Sequence, residues 1–311
     1  MKIVLIGKAG SLNHWLEDAA AAFRADGHQL TRGVVRRSWL NARAEAALAE
    51  PLAGALAARV ARISPDLILA IGGYHVPPLL LQRLAARPSR PPLAGWVGDI
   101  FNESARPAAD LYDLVAYTDS GLQARHAELG FGARAMFLPH AAGSAARPPE
   151  CERRRRMVFV ANATPERRAV VESIAAPIAV RGPGWPRGMA GGHDVRPGRV
   201  AHRDVAAIYA GHLAALNARN EFNVLRGLNQ RSFDPCISAT PVVTDAQADL
   251  ERCFEPGVEA LVWRDAAELN EVYDRLLRDP AEARRVGEAG RRRVLAEHTF
   301  AHRLAALMVA I

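Results

Sequence analysis

The first half of the sequence alternates short apolar runs with longer, alanine-rich stretches of helical character. The predicted strands are KIVLIG, QLTRGVV, DLILAIG, PLAGWVG, LVAYT and ARAMFLP. Each run is apolar enough to be buried on both faces, as strands of a parallel sheet are. The alternation therefore predicts β-α-β units, in which a sheet lies between layers of helices.

A second α/β pattern begins near residue 157. The preceding segment, AAGSAARPPECERRRR at 141–156, is rich in proline and charge and is predicted to be a linker. Further strands are predicted in MVFVANAT, PIAVRGPGW, GRVA, AALNAR, PVVTD and EALVWRD, and the chain ends in two predicted helices. We therefore predict an N-terminal domain at 1–145 and a C-terminal domain at 157–295.

Composition narrows the possible classes of protein. The 311 residues are 50% hydrophobic, which is ample for two packed cores, and the net charge of +7 suits an anionic ligand but also ordinary solubility. Cys151, Cys236 and Cys253 lack C-x-x-C spacing, which argues against a disulfide framework or a structural zinc site. MKIVLIGKAG is interpreted as a first strand rather than a secretion signal, and no apolar run reaches the about 18 residues of a spanning helix. The predicted compartment is the cytoplasm.

Several enzyme and binding classes lack their motifs. The first loop, GKAGS, does not have the G-x-G-x-x-G spacing of dinucleotide sites, and the P-loop and the G-x-S-x-G motif of esterases are missing. The sequence has neither zinc-finger spacing nor an aromatic RNA-binding motif, so nucleic acid is not predicted as a partner. The pattern favours a two-domain enzyme whose site is distributed over several strand ends.

Six segments in the second half occur in an order that resembles one family. They are MVFVANATPERR, VRGPGW, VAHRDVAAIYAGHLAALN, NQRSFDPCISATPVVTD, FEPGVEALVWRDAAEL and GRRRVLAEHTFAHR. The sequence is similar to group 1 glycosyltransferases of the GT-B fold, specifically the CgeB-like (spore maturation protein) branch. The first domain resembles the family loosely, through PDLILAIGG, GWVGD, YTDSGLQARHAELGF and FLPHAA.

This resemblance implies an α/β protein with two Rossmann-like domains facing a cleft. The N-terminal domain would bind the acceptor, the C-terminal domain would bind a nucleotide-sugar donor, and a helix at 296–311 would return to the N-terminal domain. Asp234 takes the position of a glutamate that accepts hydrogen bonds from donor hydroxyls, and Arg167 and Arg231 would face the diphosphate. The other residues implied in the donor site are Asn162, Gly182, Gly184, Trp185, Asn229, Phe233, Thr244 and Asp245.

Each of these residues also has a purely structural interpretation. Asp234 precedes Pro235, so it fits a helix N-cap with proline at the first helical position, and a capping carboxylate can still face a ligand. Arg167 and Arg231 also fit surface or salt-bridge positions. Gly182 and Gly184 predict a tight turn in either case, and Trp185 is more typical of packing than of stacking on a base.

The sequence departs from the family pattern at the predicted donor site. Asp234 is one methylene shorter than glutamate, and Ala161 and Ala239 stand where the family has glycine. Each alanine adds a methyl group where the backbone usually approaches phosphate closely or turns with positive φ. We therefore expect a donor site that is more crowded than in the relatives.

Three residues are candidates for acceptor-side catalysis. His75 and Asp99 follow predicted strands, whose carboxyl ends carry ligands in open α/β sheets, and His14 follows the first strand. His14 also fits an ordinary polar position in the first turn of a helix. The resemblance implies a retaining reaction, in which the departing phosphate can accept the acceptor's proton, whereas an inverting reaction requires one of these three as a base.

The sequence lacks an Asp-x-Asp pair at a strand end, which fits neutralisation of the diphosphate by arginines and helix dipoles. We therefore predict a retaining glycosyltransferase of the hexosyltransferase type with no essential metal or other cofactor. The alternatives are a non-catalytic nucleotide-sugar-binding protein and a sugar-nucleotide epimerase of the same fold. The acceptor, whether glycan, lipid, protein or small molecule, stays open, and a lipid acceptor would suit peripheral membrane contact through Arg153 to Arg156.

Overall fold

The structure is a computed structural model that describes residues 1–8, 13–35, 42–87, 89–143 and 151–311. Residues 9–11 of the predicted first loop and residues 144–150 of the predicted linker lie outside the described residues. The chain divides into two compact units. Unit 1 comprises Met1–Pro139, Phe222–Leu225 and Phe300–Ile311, and unit 2 comprises His140–Glu221 and Arg226–Thr299.

Strands and helices alternate along the described chain. The strands are β1 (Lys2–Lys8), β2 (Gln29–Val35), β3 (Leu67–Ile71), β4 (Leu93–Val97), β5 (Leu114–Tyr117), β6 (Arg134–Phe137), β7 (Arg154–Val160), β8 (Ala179–Gly182), β9 (Asp194–Pro197), β10 (His212–Asn217), β11 (Val242–Asp245) and β12 (Leu261–Trp263). The helices are α1 (Asn13–Ala25), α2 (Ala42–Ile63), α3 (Pro78–Ala85), α4 (Arg106–Ala109), α5 (Ser120–Glu128), α6 (Pro165–Glu172), α7 (His202–Ala210), α8 (Asp234–Ile237), α9 (Ala266–Arg278), α10 (Pro280–Glu297) and α11 (Phe300–Ala310).

Unit 1 is built on a parallel six-stranded sheet with the order β2-β1-β3-β4-β5-β6. The six strands predicted in this half are confirmed, and β3, β4 and β5 are buried along their whole length. Trp96 of β4 packs edge-on against Trp15 of α1, at 4.9 Å between ring centroids, and against Phe300 of α11, at 5.9 Å. These three aromatic side chains tie the first and last helices of unit 1 to its sheet.

Unit 2 has a second parallel six-stranded sheet, with the order β12-β11-β10-β7-β8-β9. The prediction of a strand in GRVA is wrong, because β9 ends at Pro197 and Gly198 follows with φ 120°. The strand is formed instead by Asp194–Pro197, next to β8. The carboxylate of Asp194 accepts a hydrogen bond of 2.7 Å from Arg181 of β8, which secures this strand pair.

The predicted linker ended too late in the chain, because β7 already begins at Arg154. Arg153 donates from Nη2 to the carbonyl oxygens of Ser238 and Ala239, at 2.9 and 3.0 Å. Arg155 donates to the carbonyl oxygen of Leu277. Much of this basic run is therefore folded into unit 2, where two of its guanidinium groups satisfy backbone carbonyls. In the chain as described, no helix combines the length and the apolar character that crossing a membrane requires.

Candidate functional site

The carboxyl ends of β10 and β11 are joined by a fully buried asparagine. Asn217, the last residue of β10, donates from Nδ2 to Thr244 Oγ1 at 3.1 Å and to Ser232 Oγ at 3.0 Å. Its Oδ1 accepts a hydrogen bond of 3.2 Å from Asn229 Nδ2. Asn217 therefore brings the segment around residues 229–234 to the strand end that carries Thr244 and Asp245.

Asp245 is held at this edge by three groups. Its carboxylate accepts hydrogen bonds from Gln247 Nε2 at 3.0 Å and from the Arg219 backbone N–H at 3.1 Å, and the Arg219 guanidinium lies 3.5 Å away. The side chain is only 13% exposed, and this burial raises the pKa of Asp245. Asp245 thus places a largely buried carboxyl group at the end of β11.

Two arginines lie at the same edge. Arg167 of α6 is buried and donates to the carbonyl oxygens of Ala218 and Asn162, both at 3.3 Å. Burial, followed by the positive charge of nearby Arg231, lowers the pKa of Arg167 to about 9. The Arg231 guanidinium is therefore close enough to disfavour the positive charge of Arg167.

Arg231 is the less satisfied member of this pair. Burial lowers the pKa of Arg231, while Tyr209, Asp234 and Asp245 act in the opposite direction. Its buried Nε has no hydrogen-bond partner among the residues that the structure describes. A buried cationic N–H without a partner is costly, and an anionic ligand would remove that cost.

Asp234 does not have the predicted capping geometry. Helix α8 begins at Asp234, and Phe233 is the N-cap, so the N-cap prediction is wrong by one position. The reason is that a 3₁₀ turn at Gln230–Ser232 runs directly into α8. Oδ1 of Asp234 accepts instead from the Gly143 N–H at 3.0 Å and from Gln230 Nε2 at 3.4 Å.

The GPGW segment forms the predicted tight turn after β8. Gly182 has φ 138° and Gly184 has φ 81°, and a β-carbon on Gly182 would lie 2.0 Å from the carbonyl oxygen of Ala161. Trp185 donates to that same oxygen at 2.6 Å and packs edge-on against Phe159, at 5.8 Å between ring centroids. The packing interpretation of Trp185 is therefore confirmed, because its ring belongs to the core of unit 2.

The two alanines that stand at family glycine positions, Ala161 and Ala239, differ in backbone conformation. Ala239, between α8 and β11, has φ 49°, so the expectation of a positive φ at this glycine position is confirmed. Ala161 is not among the non-glycine residues with positive φ in the described chain. Its carbonyl oxygen is instead the atom that Gly182 and Trp185 approach closely.

The remaining donor-site candidates contribute in several ways. Asn162 is exposed, and only its backbone oxygen contacts Arg167. Asn229 caps the 3₁₀ turn, because its Oδ1 accepts from the Arg231 N–H at 3.0 Å. Phe233 is fully buried against Phe254, at 5.3 Å between ring centroids. Packing, rather than ligand contact, is what the structure shows for Phe233.

Sequence reasoning missed several polar residues of this edge, namely Asn217, Arg219, Ser232 and Gln247. A signal for Asn217 was present, because a polar residue ends the apolar run AALN. Ser232 and Gln247 lie in segments without such a signal. Ser232 contacts Asn217 of another segment, so its role depends on the fold, whereas Gln247 contacts Asp245 just before it in the sequence.

In unit 1 the structure brings two of the three acceptor-side candidates together. His75 Nε2 lies 3.2 Å from Asp99 Oδ2, and both side chains are about one-third exposed. The pair forms because β3 and β4 are neighbours in the sheet and both residues follow the carboxyl ends of these strands. His14 is half-buried in the first turn of α1. The described residues hold no group of three or more His, Cys, Asp or Glu side chains that could bind a metal ion.

Comparison with known families decides the class of this protein. Residues 153–309 match the model of a family described as "Glycosyl transferase-like", which covers half of the chain. The chain belongs to this glycosyltransferase family. The prediction of a glycosyltransferase is thereby confirmed at the level of the family. No curated protein matches this glycosyltransferase.

Solved structures with the same fold cover the glycosyltransferase almost completely. HepE from Anabaena, in complex with UDP and glucose, is similar at a TM-score of 0.72 and 13% identity, covering 100% of this chain and 99% of that one. Sucrose-phosphate synthase from Thermosynechococcus elongatus gives 0.68 and 15%, covering 100% and 98%. A UDP-forming α,α-trehalose-phosphate synthase from Burkholderia xenovorans gives 0.65 and 12%, covering 99% and 98%. These likenesses confirm the predicted fold class, α/β with Rossmann-like domains of the GT-B type.

Proposed function

We propose that unit 2 of this glycosyltransferase binds a uridine nucleotide sugar and that the sugar is transferred to an acceptor bound by unit 1. The reaction would be metal-independent and would retain the anomeric configuration. The observation that carries the proposal is a pair of arginines at the carboxyl edge of the unit 2 sheet, of which Arg167 is buried and Arg231 has a buried Nε without a partner among the described residues. The complexes of the structural neighbour HepE with UDP and with UDP-glucose support the choice of nucleotide.

The charge of the arginine pair matches a diphosphate. Two positive charges in a poorly solvated place repel each other, and a diphosphate offers oxygens to both. The unpartnered Nε of Arg231 would donate to one of these oxygens. The same contacts would become stronger as the nucleoside diphosphate leaves, because negative charge builds on it in the transition state. Arg167 and Arg231 would in this way replace the divalent metal of other glycosyltransferases.

Asp234 would receive the hydroxyl groups of the donor. A carboxylate has about four lone-pair sites, so it can accept several hydrogen bonds at once, as Asp234 already does from Gly143 and Gln230. Gly182 and Gly184 would let the backbone approach the nucleotide, since neither carries a β-carbon.

Retention is proposed because the departing phosphate can accept the acceptor's proton. The His75–Asp99 pair is the one feature that would instead serve an inverting reaction, as a general base on the acceptor side. Proton NMR of the product formed from UDP-glucose separates the two, because an α-linked product means retention and a β-linked product means inversion. A β-linked product would overturn this part of the proposal and assign the base role to His75 and Asp99.

Three finer assignments complete the proposal. Within the family, the ordered segments from MVFVANATPERR to GRRRVLAEHTFAHR support the CgeB-like branch. The proposed functional domains are residues 1–145 for the acceptor and 157–295 for the donor, with the helix at 296–311 returning to the N-terminal domain. The proposed location is the cytoplasm, where cysteines stay reduced.

Calorimetric titration with UDP, UMP and uridine tests the donor site. We expect affinity to fall from UDP to UMP to uridine, because each step removes a phosphate. Arg231→Gln should weaken UDP binding by roughly tenfold or more, the size of a charge-assisted contact, and should leave uridine binding unchanged. Arg264→Gln is the matched control. Arg264 is 72% exposed and lies just before α9, where it pairs with Glu268. Full UDP affinity in Arg231→Gln, or no preference for UDP over uridine, would contradict the proposed function.

A further inference from the structure

A chain of hydrogen bonds runs through unit 1 beneath Tyr74. The hydroxyl groups of Tyr74 and Tyr117 are in contact, and Tyr117 Oη lies 2.7 Å from His126 Nδ1. His126 Nε2 lies 2.8 Å from the carbonyl oxygen of Ala133, which is the last group in this series of hydrogen bonds. Tyr117 and His126 are buried, whereas Tyr74, at the other end of this hydrogen-bonded series, is half-buried.

The carbonyl at the inner end sets the direction of every bond in this chain. A carbonyl oxygen only accepts, so His126 Nε2 carries the hydrogen, and in a neutral imidazole Nδ1 is then an acceptor. Tyr117 must donate to Nδ1, which leaves its oxygen to accept from Tyr74. The hydroxyl hydrogen of Tyr74 is therefore donated to Tyr117. Toward any further partner, the Tyr74 oxygen can therefore only accept.

Burial also raises the pKa of Tyr74, so the phenol keeps its hydrogen. Its sequence neighbour His75 donates from Nε2 to Asp99, because a carboxylate only accepts. In the neutral ring, His75 Nδ1 is an acceptor, and Asp99 Oδ1 is a further one. Phe101 packs edge-on against Tyr74, at 5.0 Å between ring centroids. We call Tyr74, His75, Asp99 and Phe101 the Tyr74 cluster.

We propose that the Tyr74 cluster is the acceptor subsite and that it selects an uncharged, hydroxyl-rich acceptor, such as a sugar without a phosphate group. This inference rests on the proposed function and names the chemical class of its acceptor. Hydroxyl groups can donate to the oxygens of Tyr74 and Asp99, and the partly exposed ring of Tyr74 can pack against the C–H face of a sugar. A phosphate group brings only acceptors and negative charge, which the Asp99 carboxylate repels.

An arginine that packs beside this aromatic group already has other partners. Arg106 lies over the ring of Phe131, at 5.0 Å, and Phe131 contacts Tyr74 at 6.4 Å between ring centroids. The Arg106 guanidinium donates to the carbonyl oxygens of Leu129 and Gly130. It therefore already has backbone partners, and within the described residues no contact of an arginine or lysine side chain with the Tyr74 cluster is found. This contrasts with Arg167 and Arg231 of unit 2.

Saturation-transfer NMR on the full-length protein tests the subsite without requiring turnover. The probes are glucose with glucose 6-phosphate and fructose with fructose 6-phosphate, at about pH 8, where imidazole is neutral. We expect the unmodified sugar of each pair to bind more tightly. Tyr74→Phe should weaken its binding by about three- to tenfold, the size of one hydrogen bond. Asp99→Asn should narrow the preference within each pair, because it replaces a charged acceptor with an amide that can donate.

Tyr273→Phe is the matched control, since the Tyr273 hydroxyl donates to Pro177 within unit 2. A preference for the phosphorylated sugars, binding that Tyr74→Phe and Asp99→Asn leave unchanged, or no binding by any of the four probes would each overturn the proposal. Thermal melting of each variant excludes unfolding as the cause of a lost signal. UDP titration of unit 2 is a separate measurement, so failure of the donor proposal and failure of the acceptor proposal give different results.

Discussion

Gly287 of α10 lies so close to Ala239 that a β-carbon on the glycine would be 2.0 Å from the alanine's carbonyl oxygen. One turn later, a β-carbon on Gly290 would lie 2.6 Å from the carbonyl oxygen of Glu259 and 3.2 Å from Cys236 Sγ. Two glycines thus let α10 pack directly on α8 and the loop that follows it. This packing positions the segment that begins at Asp234.

Gly287→Ala is therefore expected to destabilise unit 2 by about 3 kcal/mol, because a methyl group cannot fit against a backbone oxygen without shifting α10. Urea denaturation measures the free energy of unfolding. The control is Gly54→Ala in α2, where a β-carbon would meet nothing within 4 Å. That variant should gain about 0.5 kcal/mol, since alanine favours a helix. Equal stability in the two variants would show that α10 is not closely packed at Gly287.

Ala239→Gly tests the strain of a left-handed alanine. Ala239 has φ 49°, which costs an L-residue roughly 1–2 kcal/mol, whereas the extra freedom of glycine in the unfolded chain costs about 0.4–1 kcal/mol. The free energy of unfolding should therefore rise by up to about 1 kcal/mol. Ala161→Gly is the control and should lose about 0.5–1 kcal/mol, because Ala161 lacks a positive φ. A lower free energy of unfolding in Ala239→Gly would show that the backbone of Ala239 is not strained.

The sequence predicts most strands of this fold because their central residues form short apolar runs. The run LILAI, for example, becomes β3 and is buried throughout. Strand β9 was not predicted because its sequence, DVRP, is not apolar. It is held instead by the contact between Asp194 and Arg181 of β8. The start of β7 was missed for a similar reason, since its arginines look like linker residues until their backbone partners are known.

The donor site could be predicted only in part. Arg167, Arg231 and Asp234 were implied by the family pattern, but the asparagine that links their segments was not, because Asn217 acts through partners 12 to 27 residues away. The N-cap prediction for Asp234 is wrong because no local sequence signal shows that a 3₁₀ turn continues into α8. His75 and Asp99 were each predicted at a strand end. Their contact follows from the adjacency of β3 and β4.

The ion pair of Arg90 and Asp113 should make the stability of unit 1 depend on pH. Arg90 donates to both oxygens of Asp113, at 2.5 and 2.6 Å, and this contact lowers the pKa of Asp113. A depressed carboxyl pKa stabilises the fold above the unfolded value, near ~3.9, and that stabilisation is lost as the pH falls through the folded value. Arg90→Gln should therefore cost about 1 kcal/mol at neutral pH and progressively less as the pH falls below the unfolded value. Urea denaturation at neutral and at acidic pH measures this cost, and a cost that stays constant with pH would contradict the prediction.

Chelation tests the prediction that the transfer needs no metal. If Arg167 and Arg231 neutralise the diphosphate, UDP release from UDP-glucose should change by less than about twofold after treatment with EDTA. The assay is continuous detection of UDP, with a commercial metal-dependent glycosyltransferase as the positive control for chelation. Loss of turnover that magnesium or manganese restores would show that the arginines are insufficient. In that case a metal would have to supply part of the charge neutralisation.

Arg231→Met should raise the stability of the ligand-free protein while weakening UDP binding. The charge of Arg231 is buried beside Arg167 and its Nε has no partner in the part of the chain that the structure describes, so methionine removes a cost at similar volume. The melting temperature without ligand should rise by about 2–4 °C, the shift that roughly 1 kcal/mol produces in a unit of this size.

Arg167→Met provides the contrast for that measurement. Arg167 donates to the carbonyl oxygens of Ala218 and Asn162, so its removal leaves backbone acceptors without their donor. We expect Arg167→Met to lower the melting temperature, and both variants to lose most of the stabilisation that UDP gives the unsubstituted protein. If Arg231→Met instead melted at a lower temperature and still bound UDP, Arg231 would be a structural residue. The diphosphate would then have to be held by other groups.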